Sequence, residues 1–189
     1  MSRTSSHPID PLFLRRWSPR AMSGAPLTRA QLLPLLEAAR WAPSGGNGQP
    51  WRFAYALAGT PHFERFLSTL VPGNREWCLR AGALVLLSAR VVRDDGKPSP
   101  SAPFDAGAAW MGLALQGTLS GLVVHAMAGF DREAARAAVA LPAGLEPQVM
   151  IAVGHPGRLE ELPEKLRERE LPSDRLPLEA LVVEGAFTA

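Results

Sequence analysis

Cysteine is almost missing from this chain. Cys78 is the one thiol in 189 residues, so no disulfide can form within the chain, and a reducing, cytoplasmic setting is expected. Long apolar runs are missing too. The longest, Ala81 to Leu87, is far too short to cross a bilayer, and the opening MSRTSSHPID has no apolar core of a signal peptide. No membrane association is expected. Charge of one sign is scarce: the formal net charge is +2, and the basic residues are scattered among acids. That argues against a nucleic-acid partner in spite of the basic pI. His7 and His62 have no partner at metal-ligand spacing. No G-x-G-x-x-G follows a strand-like run, so there is no Rossmann signature. Repeats and low-complexity tracts are absent as well.

What is present reads as one domain over residues 1–189, long enough to bury a sizeable core. Eighteen prolines and 17 glycines predict many loops and sharp element ends. Pro11 to Leu14 opens a short first helix. Thr28 with Gln31 forms a capping-box pattern ahead of Leu32, Leu33, Leu35, Leu36 and Ala39, with Pro34 set deep in that helix. Trp51–Ala58, Ala83–Val92, Val123–Met127 and 148–153 read as strands. Residues 62–70 predict a short helix and Asp131 caps another that runs to Ala140. Phe104–Ser120 predicts a helix buried on several faces and ended by Gly121. The stretch 94–103 reads as a proline-rich loop, and Glu160–Glu170 as a solvated helical face. Leu181-Val182-Val183 reads as a last strand able to pair with another chain. Helices and strands mix without a βαβ rhythm, which predicts the α+β class.

Two segments carry the chemistry. Arg15-Arg16-Trp17-Ser18-Pro19-Arg20 places three guanidinium groups and a hydroxyl within six residues. Arginine binds phosphate through paired, charge-assisted hydrogen bonds; a solvated basic surface is the other reading of the same residues. Ala42-Pro43-Ser44-Gly45-Gly46-Asn47-Gly48-Gln49-Pro50-Trp51 is a glycine-rich loop with neutral donors and acceptors and no strong acid, base or nucleophile. It suits close backbone approach to a polar ligand, and equally a plain helix-to-strand turn.

Taken together, R-R-x-S-x-R near the start and A-R-W-A-P-S-x-x-N-x-Q-P-W after one helix resemble the nitroreductase family of small flavin-dependent oxidoreductases. Further segments arrive in the family's order: Asn74 ahead of the second strand, Gly107–Ser120 as the central helix, Ala126-Met127-Ala128-Gly129-Phe130-Asp131 in place of P-x-E-G-F-D, Gly154-His155-Pro156, and Ser173-Asp174-Arg175 in place of K-x-R. The resemblance implies a central mixed or antiparallel sheet flanked by helices. It also implies a homodimer with FMN at the subunit interface and a C-terminal segment exchanged between copies.

By position, Arg16, Trp17, Ser18 and Arg20 belong to the flavin site, with Arg16, Ser18 and Arg20 on the phosphate and pyrimidine edge. Pro43, Ser44, Gly45, Asn47 and Gln49 form the loop along the ribityl chain or ring, some of them from the partner. Asn74 meets the pyrimidine side. Met127, Ala128 and Gly129 form the turn whose N–H groups face N5 and O4, and Arg175 returns to the phosphate. The implied activity is hydride transfer from NADH or NADPH onto flavin N5, then ping-pong reduction of a nitroaromatic, quinone or similar small acceptor, with no catalytic side chain. The chain departs from the pattern at Gly45 and Gly46, Trp17, Ala128 and Ser173, the last standing where the family has lysine. Two other readings keep the flavin: a binding protein with little nicotinamide turnover, and flavin-cleaving or dehalogenating chemistry.

Single residues also have plain structural readings. His125 packs or hydrogen-bonds beside the flavin turn, and His155 belongs to a turn. Cys78 is a small buried apolar residue. Trp41 and Trp51 fill the core, and Trp110 and Met111 are core or dimer contacts.

Overall fold

The computed structural model describes residues 3–187. Four strands form one antiparallel sheet in the order β1-β2-β4-β3: β1 Trp51–Leu57, β2 Ala83–Arg90, β3 Val123–Met127 and β4 Leu145–Gly154. In register, Trp51 faces Ala89 and Leu57 faces Ala83, Ala83 faces Val153, and Met127 faces Met150. The expected α+β class holds, and the sheet is antiparallel throughout. β2 explains its own place at the centre. Side chains alternate along a strand, and both faces of Ala-Leu-Val-Leu-Leu are apolar, so a layer must cover each side. Leu84 and Leu86 join a core with Met22, Phe63, Phe66 and Trp77. Val85 and Leu87 join another with Leu32, Leu35, Leu113 and Ile151.

Helices α2 (Arg29–Arg40) and α5 (Ala102–Leu119) pack on the second of these faces. Helices α3 (Pro61–Ser68), α4 (Pro72–Cys78) and α6 (Arg132–Ala138) contribute to the first. Helix α1 is Pro11–Arg15, and α7 is Glu164–Arg167. Thr28 caps α2 as expected: Gln31 N–H donates to Thr28 Oγ1 at 3.3 Å and Thr28 N–H donates to Gln31 Oε1 at 2.9 Å. The helix runs unbroken through Pro34. The carbonyl that loses its donor belongs to Ala30, an exposed residue of the first turn.

Three expectations need correcting. The loop before α5 is shorter than expected, because Pro103 enters the first helical turn, where its missing N–H costs nothing. Leu181–Val183 is not a strand. Within this chain a short 3-10 turn over Leu178–Ala180 precedes it, and residues 181–183 join no ladder. Trp41 does not fill the core: it is 74% exposed, with its Nε1–H donating to Glu37 at 3.0 Å and the Arg40 guanidinium 4.9 Å over the ring. It sits one residue past α2, where the chain has already left the packed face. Trp51, in contrast, is buried, as is Cys78, whose thiol is pushed up by burial.

Candidate functional site

Residues 16–20 leave α1 in extended form and cross toward the end of β4. Met22 bridges to Pro156 just past that strand, and Gly157 N–H donates to the Ala21 carbonyl at 3.0 Å. Arg16 is half-buried and its Nη1 donates to Ser18 Oγ at 3.3 Å. Burial, then the charges of Arg3 and Arg175, lower the Arg16 pKa from its usual value. The Arg3 guanidinium ties the Arg16 and Arg175 stretches together, donating to the carbonyls of Ser173 and Arg16. Trp17 lines an open cavity of about 440 Å³ with Pro19, Leu122 and Glu170, and another with Arg3 and Leu14.

Arg20 is held by Glu170. One carboxylate oxygen accepts the backbone N–H of Arg20 at 2.6 Å and of Ala21 at 2.8 Å. The other lies 3.6 Å from the Arg20 guanidinium. Glu170 is 9% exposed, so it is no part of a solvated face. That corrects the reading of the 160–170 charge run, whose helix shortens to α7 with a separate 3-10 turn at Leu159–Glu161.

The β3 edge lies beside this segment. His125 Nδ1 is 2.9 Å from the Pro19 carbonyl; a carbonyl can only accept, so this nitrogen carries the proton. Its ring tilts against Trp77, with centroids 4.9 Å apart. Burial is the main cause that lowers its pKa, with the Arg20 charge adding to it. The imidazole is thus a neutral packing group, and it offers no acid near neutral pH. One turn before Trp77, Asn74 Nδ2 donates to the Gly129 carbonyl at 3.0 Å. A side chain at 129 has no room: a Cβ there would meet Asn74 Nδ2 at 2.6 Å. Among the described residues, no protein acceptor takes the N–H of Ala128 or Gly129. Two free main-chain donors therefore stand beside Asn74. Met127 turns its side chain into the core, where its sulfur is 3.5 Å from that of Cys78, leaving only its main chain at the turn.

The glycine-rich loop is elsewhere. It enters β1 at the end paired with Ala89, whereas Arg20–Met22 sit at the Ala83 and Val153 end. From Ala83 to Ala89 is about 20 Å of strand. Pro43, Gly45, Asn47 and Gln49 are exposed and Ser44 is half-buried. Ser44 Oγ accepts the Gln49 N–H at 3.0 Å, and Asp105, buried in the first turn of α5, receives the Gly45 N–H at 3.4 Å. Asn47 and Gln49 both have positive φ, 54° and 45°.

One chain thus joins Arg16 to Ser18, the Pro19–Arg20 stretch to His125, and Asn74 to the 127–129 turn. It leaves residues 43–49 at the far end. The sequence reading missed Arg3, Glu170 and Asp105. Arg3 stands in an unpatterned polar stretch; Glu170 was masked by its charged neighbours. Asp105 had a usable signal as the single acid within a helix of small and apolar residues. No cluster of three or more His, Cys, Asp or Glu able to hold a metal occurs among the described residues. No helix among them is long and apolar enough to cross a membrane.

Comparison with known proteins bears on the family and the fold. Residues 14–65 match the model of the Nitroreductase family. That match includes both chemistry-bearing segments. A crystal structure of an oxidoreductase containing FMN superposes with a TM-score of 0.95 at 42% identity, covering 98% of this chain and 96% of the other. An uncharacterized 15.4 kDa protein of Mycolicibacterium smegmatis is 35% identical over 122 residues, 64% of this chain and 82% of that protein. A nitroreductase family protein from Clostridium difficile 630 superposes with a TM-score of 0.73 at 24% identity, over 96% and 100% of the two chains; at that identity the likeness shows the fold. The order of segments, the sheet and these relatives together make the chain a member of the nitroreductase family.

Proposed function

We propose that the protein is an FMN-dependent oxidoreductase that takes electrons from NADH or NADPH and passes them to a nitroaromatic, quinone or similar small acceptor by a ping-pong course. The observations that carry this reading are a cationic segment tied to β3 through Pro19 and His125, and free main-chain donors at the turn that ends β3. Arg16, Ser18 and Arg175 suit a phosphate monoester. The N–H groups of Ala128 and Gly129, beside Asn74, suit the polar edge of a flat heterocycle.

FMN, when bound, supplies the hydride-accepting ring and carries the electrons between the two half-reactions. The chain's residues bind, orient and tune. Arg20, its main chain fixed by Glu170, would help to hold the flavin ring. Gly129 lets the turn approach Asn74 closely, so the donors on both sides keep one spacing. His125, neutral and committed to Pro19, holds the Arg20 segment and moves no proton.

This reading includes a homodimer, and the same geometry supports it. The loop of Pro43, Ser44, Gly45, Asn47 and Gln49 is at the wrong end of its own sheet, and a second copy brings it over the cofactor. Exposed apolar residues Phe104, Met111 and Leu119 on α5, and Leu181, Val182 and Phe187 in the tail, give that copy a surface to cover.

An absorbance spectrum of the purified protein, followed by anaerobic titration with NADH and NADPH and then with a nitroaromatic or quinone, tests the reading. The expected outcome is a flavin spectrum that nicotinamide bleaches and the acceptor restores. Protein that stays colourless after FMN is added overturns it. Bound flavin that nicotinamide does not bleach leaves a flavin-binding protein without this turnover.

A further inference from the structure

Arg3 lies ten residues and more before any motif, yet its guanidinium joins the two segments that carry Arg16 and Arg175. Its Nε donates to the Ser173 carbonyl at 3.1 Å. Its Nη1 donates to the carbonyls of Arg16 at 2.8 Å and Leu14 at 3.2 Å. These bonds draw the N-terminal stretch onto the C-terminal one. Nη2 donates to no protein acceptor among the described residues. Arg3, Ser173 and Arg175 line the same open cavity of about 460 Å³.

We infer that Arg3 is a third cation of the phosphate grip, clipping the Leu14–Arg16 and Ser173–Arg175 segments together and offering its Nη2 donors to the phosphate. The inference rests on the FMN reading above and adds to it a residue that no motif marks.

Charge balance supports it. Burial first, then Arg175, lowers the Arg3 pKa, while Asp174 acts the other way. Arg16 feels both of the other guanidinium groups. Three guanidinium groups and one nearby carboxylate leave two positive charges in excess, which matches a dianionic phosphate monoester. Without an anion these like charges repel one another. With one, each gains a charge-assisted partner.

The test compares dissociation constants for FMN and riboflavin, read by flavin fluorescence quenching, in the wild-type protein and in Arg3→Gln. Riboflavin has the ring and ribityl chain but no phosphate. The expected result is FMN weakened about tenfold or more, the scale of one lost charged hydrogen bond, with riboflavin changed less than twofold. Equal weakening of both ligands would make Arg3 a structural clip alone and overturn the inference; so would no change in either. Wild-type protein that binds riboflavin as tightly as FMN removes the phosphate grip but leaves the flavin site standing. Wild-type protein that binds neither removes the flavin reading itself, before any variant is made. Should Arg3→Gln fail to fold, Arg3→Lys keeps the charge and loses the fork. It must then weaken FMN at least about threefold more than riboflavin, and an equal effect on both overturns the inference.

Discussion

The Arg16–Arg20 segment and the Ser44–Gln49 loop both follow a helix and both present polar groups, but they are held in place by opposite means. The first is tied down from outside. Glu170, 150 residues away in the chain, accepts the N–H groups of Arg20 and of the next residue, Ala21, Gly157 N–H donates to the Ala21 carbonyl, and His125 binds that of Pro19. The second is held mainly by itself. Ser44 Oγ accepts from Gln49, Asn47 N–H donates to the Ser44 carbonyl and Gly48 N–H to that of Gly45; a long 3.4 Å contact to Asp105 is its anchor. A charged site needs this external bracing, because like charges drive their own backbone apart. A neutral loop that meets its ligand through the main chain can be built locally and left exposed.

That contrast is easiest to break at Glu170. Glu170→Ala strips two N–H groups of their acceptor and leaves Arg20 without its carboxylate. Hydrogen bonds to a charged group are each worth about 1.5–3 kcal/mol, so a loss of about 3 kcal/mol or more is expected in urea denaturation. A loss below about 1 kcal/mol would mean that the segment is braced by something else. The next largest effect is expected from Gly157→Ala. A Cβ at 157 would lie 2.5 Å from the Met22 carbonyl carbon, and that atom is backbone, so the 20–22 segment must move. Overpacking of this kind costs about 1–3 kcal/mol. Because the displaced segment carries Arg20, affinity for FMN should fall along with stability. A variant that loses stability yet binds FMN unchanged would separate Arg20 from the site.

The same contrast accounts for what could be read from the sequence. Elements whose signal is local were legible: the Thr28–Gln31 cap, the apolar run of β2, and the stop at Gly121, which has φ +70°. The Ser44 loop was legible as a loop for the same reason, since its glycines and carboxamides satisfy one another within a few residues. What was lost depended on partners distant in sequence. Glu170 and Arg3 act across 150 and 170 residues, and nothing in their neighbours distinguishes them from solvated surface. Trp41 was misplaced for a related reason: periodicity reports which face of a helix is buried, and Trp41 is past the last turn of α2. The tail strand does not form within this chain, because a strand needs an edge to pair with, and composition alone cannot supply one.

The smallest effect is expected inside the loop, and it sharpens the comparison because it repeats the glycine-to-alanine change. Gly46 has φ +55° and no heavy atom within 4 Å of a built Cβ. Gly46→Ala therefore meets no clash and pays only for a left-handed backbone, about 1–2 kcal/mol, part of which is returned because alanine orders the unfolded chain. The net loss should be about 1 kcal/mol or less, against the larger loss at Gly157. Binding should divide the other way if a second copy lays this loop over the cofactor. A methyl group that is harmless in the single chain would then stand in the path of the partner's ligand. FMN affinity should fall by more than the stability change accounts for, and the dimer should persist in sedimentation. Equal, small losses in stability and binding would mean that the loop faces solvent in the assembled protein and that the flavin ring is gripped from one chain alone.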